Sequence, residues 1–74
     1  MSRLPSLDGE QIVKALGKAG FQVLRQKGSH VYLKHADGRA TVVPVHKGES
    51  IGRGLLRKIM QDTELSREEF LKLL

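Results

Sequence analysis

At 74 residues, with a formal net charge of +5 and no cysteine, the chain has material for one domain, residues 1–74, that buries roughly 60 % of its unfolded surface. That size excludes a deep enclosed active site, and the lack of Cys excludes a disulfide framework and thiolate metal ligation. No apolar run approaches the ~18 residues of a membrane span, and residues 1–11 hold no apolar core of signal-peptide length, so a soluble, cytoplasmic protein is expected.

The first predicted element is a helix capped by Asp8, with Gln11 placed to reach back in a box-like arrangement and Leu7 placed to staple against Ile12. Ile12, Leu16 and Ala19 recur at helical spacing, and Gly20 stands where a left-handed C-terminal cap is wanted. From Phe21 to Pro44 the pattern predicts three short antiparallel strands, about 21–26, 30–35 and 39–44, separated by turn residues. Asp37-Gly38 as a two-residue type I′ loop would pair Ala36 with Arg39, Leu33 with Val42, Tyr32 with Val43 and His30 with Val45. If Lys27-Gly28 closes the first hairpin in the same way, Arg25 falls opposite His30. Strand alternation puts Val31 and Leu33 on one face and His30, Tyr32 and Lys34 on the other, away from the helices.

After a loop at residues 45–50, a second helix is expected from about Gly52 to Gln61, with Leu55, Leu56, Ile59 and Met60 as its apolar stripe. Gly52 and Gly54 in its first turn suggest close backbone approach, and free N–H groups there suit an anion. Ser66 with Glu69 forms a capping box for a last short helix, from which Phe70, Leu73 and Leu74 complete the core. The expected class is α+β, in the order α-β-β-β-α-α.

Charge is uneven along the chain. Residues 11–60 carry ten Lys or Arg against Asp37 and Glu49, a net of +8, whereas residues 61–74 carry a net of −2. A basic middle favours an anionic partner. Within it, Gly28-Ser29-His30 sets one imidazole among Arg25, Lys27 and Lys34. Histidine exchanges protons near neutral pH, so a His beside a bound phosphodiester is the minimum equipment for cleaving RNA through its own 2′-hydroxyl.

The blocks Gly20-Phe21, Arg25 to His30, Val43-Pro44-Val45-His46-Lys47-Gly48 and Gly54 to Ile59, in that order and spacing, resemble the HicA family of toxin ribonucleases over about Asp8 to Gln61. The resemblance implies a fold like a double-stranded-RNA-binding domain (dsRBD-like), a three-stranded antiparallel sheet with helices on one face. It implies metal-independent cleavage of mRNA, a catalytic His30 presented by Gly28 and Ser29, and neutralisation by an antitoxin of the HicB family. RNA contacts are then expected from Arg25, Lys27, Gly28, Ser29, Lys34, His46 and Lys47.

Other chemistries fit poorly. His30 and His35 lie five apart on one strand and face opposite sides, so no metal site is expected from them. The glycines after residue 47 match neither a Walker loop nor a dinucleotide fingerprint, which argues against a nucleotide cofactor. Ser29 beside His30 lacks the buried acid of a serine hydrolase, and His35 is expected to be structural. Two readings compete with a nuclease: a non-catalytic RNA-binding module using the same basic face, and a protein-binding domain docking a partner on the open sheet face.

Overall fold

A computed structural model describes residues 6–74; the expectation about a leader at residues 1–11 rests partly on residues 1–5, which lie outside the described residues. The order is α1 (Gly9–Lys18), β1 (Phe21–Lys27), β2 (His30–His35), β3 (Ala40–Pro44), α2 (Arg53–Thr63) and α3 (Arg67–Lys72). This is an α+β fold built on an antiparallel sheet in the order β1-β2-β3. Among the described residues no helix is long and apolar enough to cross a membrane.

The caps form as expected. The Gln11 N–H donates to Asp8 Oδ1 at 2.8 Å and the Asp8 N–H donates to Gln11 Oε1 at 3.0 Å, a reciprocal arrangement whose loss costs a helix about 1 kcal/mol. Leu7 and Ile12 are both buried beside this cap. Ser66 and Glu69 repeat the arrangement at α3, where Phe70 is fully buried. Leu73 packs against the core, whereas Leu74 is 45 % exposed: the helix ends at Lys72, and the last residue lies beyond the face that Phe70 defines.

One face of the sheet is covered. Phe21, Val31, Leu33 and Val43 are buried together with Ile12, Ala15 and Leu16 of α1, Leu56 and Ile59 of α2, and Phe70. Thr41 joins them, its hydroxyl donating to Asp62 Oδ2 at 3.0 Å. At the start of α1, Gly9 abuts β3 so closely that a Cβ there would overlap the Pro44 carbonyl oxygen. The Ile51 N–H donates to the Leu7 carbonyl at 2.7 Å, tying the loop before α2 to the same corner.

Both hairpin registers differ from expectation. In the second, His35 rather than Ala36 closes the ladder, its N–H donating to the Arg39 carbonyl at 2.7 Å, while the Gly38 N–H donates to the His35 carbonyl at 2.9 Å. This is a three-residue loop, a tight turn followed by Gly38 at φ 102°, of the kind that ends in a bulge. Asp37 selects it by accepting the Arg39 N–H at 3.0 Å, so the side chain supplies a turn of its own. Leu33 therefore pairs with Thr41, Tyr32 with Val42 and His30 with Pro44. A one-residue slip exchanges the faces of a whole strand, so Val42 lies on the open face and Thr41 in the core.

In the first hairpin the loop is Gly28-Ser29, with positive φ at Gly28 alone (60°), the pattern of a type II′ turn. Lys27, not Arg25, is opposite His30, and Arg25 is opposite Tyr32. The register shifts between Val23 and Arg25, leaving Leu24 as an extra residue, a β-bulge. Finally, nothing stands within 4 Å of where a Cβ would be on Gly52 or Gly54, so the close approach expected there does not occur.

Candidate nucleic-acid interface

The open face of the sheet is built by alternation. Because Val31 and Leu33 turn into the core, His30, Tyr32 and Lys34 must turn out, and their cross-strand partners Lys27, Arg25, Val42 and Pro44 turn out with them. No carboxylate stands on any of the three strands. The formal charges of the strands are therefore all positive, and the carboxylates stand in the loops and helices.

His30 is the first residue of β2, exposed, flanked by Lys27 on one side and Pro44 on the other. Among the described residues no side chain hydrogen-bonds its imidazole. Its position is set by the backbone: the II′ turn precedes it, and the Ser29 carbonyl accepts from the Val45 N–H at 2.7 Å, which locks the turn onto the end of β3. The Gln26 side chain donates to the Gly28 carbonyl at 3.1 Å and bridges the same turn. Both ring nitrogens are thus open to a ligand or to water, as a group that exchanges protons with a substrate requires.

The other expected contacts divide into near and far. Lys27 is the direct neighbour of His30 across the sheet. Arg25 lies one rung on, its guanidinium 4.7 Å from the centre of the Tyr32 ring, a cation–π contact that holds it on this face. Lys34 is four residues along β2, about 13 Å away at strand spacing, too far from Lys27 for the two to meet at one small anion. His46 and Lys47 are exposed just past the last rung, in a turn closed by the Glu49 N–H donating to the His46 carbonyl at 3.0 Å. Gly28 and Ser29 form the turn itself.

His35 is placed as expected for a structural residue. It is on the opposite face from His30, its ring 5.1 Å from that of Phe21 in an edge-on contact, and its Nδ1 accepts the Asp37 N–H at 3.1 Å. Among the described residues no three His, Cys, Asp or Glu come together as metal ligands.

Sequence reasoning missed the other half of the interface. A trough of about 480 Å³ runs over the open face beside His30. Tyr32 and Val42 line its floor, Leu24 one side, and Leu55 and Lys58 of α2 the other. Leu55, in the apolar stripe of α2 as expected, packs against the core and also reaches the trough, whereas Val42 was expected on the covered face. Leu24 reaches the trough from the bulge. The signal that would have moved Val42 is Ala36-Asp37-Gly38 read as a three-residue loop, whereas the wall supplied by α2 is tertiary and leaves no local trace.

A protein-family model described as the HicA toxin of bacterial toxin–antitoxin systems matches residues 9–65. No curated protein matches the chain significantly.

Proposed function

The chain belongs to the HicA toxin family of bacterial toxin–antitoxin systems, and from that premise we propose that it is an endoribonuclease that cleaves mRNA without a metal ion, using His30 as general base. The observation that carries this reading is the position of His30, exposed on a cationic sheet face, opposite Lys27 and on a sheet whose strands hold no carboxylate. In the proposed reaction the imidazole takes the proton of a 2′-hydroxyl. The resulting oxygen attacks the adjacent phosphorus, the bond from phosphorus to the 5′-oxygen breaks, and the leaving oxygen takes a proton from water. A 2′,3′-cyclic phosphate remains on one product. Lys27 offsets charge building on the phosphate oxygens, and a fixed cation at that point acts where the charge develops.

The same face explains how such an enzyme is held in check. Inhibition is assigned to the antitoxin of the system, proposed here to be HicB-like and to cover His30 with an acidic surface that competes with RNA for Arg25, Lys27 and Lys34. An enzyme acting on mRNA under such control works in the cytoplasm.

The test is cleavage of a defined RNA by the purified protein. Activity is expected to persist in EDTA, to yield a cyclic phosphate, and to vanish when the nucleotide at the cleaved bond is 2′-deoxy. Inhibition by chelator, or efficient cutting of DNA, would assign a different chemistry.

A further inference from the structure

We infer that the trough beside His30 is a nucleobase subsite, so that the substrate is single-stranded RNA with one base unstacked onto Tyr32 next to the scissile bond. The inference rests on the nuclease reading for its chemistry but on the trough alone for its ligand.

The trough has the dimensions and surface of a base site. Its floor is a cross-strand pair, Tyr32 and Val42, an aromatic ring beside a branched aliphatic side chain, both half-buried. His30 and Pro44 close one end, which sets the proton acceptor against whatever occupies the floor. Arg25 lies against the Tyr32 ring but does not line the trough, so it fixes the ring's attitude without filling the space. Every base offers a π-face to such a platform whatever its identity, while cations elsewhere on the same sheet face take the phosphates. One carboxylate reaches the trough, that of Asp62, and it is already engaged by Lys58 at 3.2 Å and by the Thr41 hydroxyl at 3.0 Å.

A duplex does not satisfy this geometry. In A-form RNA the bases are stacked and the accessible surface is a convex wall of phosphate and 2′-hydroxyl groups. The space between the Leu24 bulge and α2 is concave and largely apolar, and of the parts of an RNA strand an extruded base is the one that matches it. An apolar side chain of a protein partner would also fit in shape, but Arg25, Lys27 and Lys34, on the same sheet face though outside the trough's lining, select the ligand that carries phosphates with its flat apolar part.

The experiment uses an accident of composition: the chain has one Tyr and no Trp, so intrinsic emission reports on Tyr32 alone. The protein is titrated with a 2′-O-methyl oligoribonucleotide, which cannot be cleaved, as a single strand, as a blunt duplex, and as a single strand of abasic residues. The single strand is expected to quench Tyr32, and the duplex and abasic strands to bind at least about tenfold more weakly without quenching. Tyr32→Leu is expected to lose the preference for the base-bearing strand, and Tyr32→Phe to retain it in a competition assay, with circular dichroism confirming both folds. Equal binding of the base-bearing and abasic strands, or duplex binding as tight as single-strand binding, would overturn the subsite. Quenching by the antitoxin and by none of the oligonucleotides would overturn it in favour of a protein ligand. Because the readout is binding, failure of the wild-type protein to cleave RNA would count against the nuclease reading and leave this result standing.

Discussion

The two ends of β2 carry the same kinds of side chain and use them in opposite ways. At His35 the side chains engage one another: the imidazole Nδ1 accepts from the Asp37 backbone, the ring meets that of Phe21, and Arg39 binds the Asp37 carboxylate at 2.8 Å, donates to the Thr63 carbonyl at the end of α2, and lies over Phe21. At His30, five residues along the strand, the imidazole and Lys27 stand in solvent, held only by the backbone beneath them. The first end spends its charges on one another and so ties hairpin to helix. The second leaves them facing solvent, and its rigidity comes from the ladder and the II′ turn. The identity of a residue thus says little about its role here; whether its partners lie within the chain decides.

Exchanging the two histidines breaks this comparison most sharply. His30→Ala is expected to lower RNA cleavage by at least about 100-fold, the lower range for removing a general base, with stability within about 0.5 kcal/mol of the parent because the site is exposed. His35→Ala is expected to do the reverse, costing about 1 kcal/mol and sparing cleavage. Denaturant melts and a cleavage assay on the two variants decide it, and near-parental cleavage by His30→Ala would end its assignment as the base.

Arg39→Ala is next in size. It removes a charge-assisted bond to Asp37, the bond to the Thr63 carbonyl and the cover over Phe21, and is expected to cost about 1.5–3 kcal/mol, whereas Lys27→Ala at the other end leaves the melt unchanged. A smaller effect separates cations within the open face. Lys27→Ala and Lys34→Ala are each expected to reduce the slope of log K against log salt for single-stranded RNA by about 0.7, one phosphate contact apiece; an unchanged slope in both would move the contacts toward Lys47 or Arg53.

The smallest effect is with pH. The Arg39 backbone N–H bonded to its carboxylate, followed by the Arg39 side chain, holds Asp37 below its ordinary pKa of 3.8, and the Ser66 backbone N–H does the same for Glu69. A carboxyl whose folded pKa is lowered stabilises the fold above the unfolded value and loses that contribution as pH falls through the folded one. Urea melts between pH 6 and pH 3 should therefore show acid destabilisation that is smaller in Asp37→Asn. Equal losses in the two proteins would mean that the loop does not carry the effect.

Much of this was legible in the sequence because it is local. The two capping boxes are written in Asp8 with Gln11 and in Ser66 with Glu69, and the face that carries His30 follows from Val31 and Leu33 flanking Tyr32. The register of β3 was not legible in the same way, since Asp37-Gly38 serves both a two-residue and a three-residue loop. The choice turns on whether the Asp37 carboxylate captures the Arg39 N–H. The bulge at Leu24 and the wall that α2 sets beside Val42 depend on pieces distant in sequence, and neither leaves a periodic signature.

The extra residue at Leu24 has a consequence for how many copies of this chain share a solution. β1 is an edge strand, and Val23 and Leu24 on it are 52 % and 63 % exposed, a pairing of free backbone and apolar surface that elsewhere seeds fibrils. An arriving strand would have to match hydrogen-bond spacing across Val23, Leu24 and Arg25, and the bulge breaks that match at the stickiest point. The bulge thereby opposes growth of the sheet by addition of like strands at this edge.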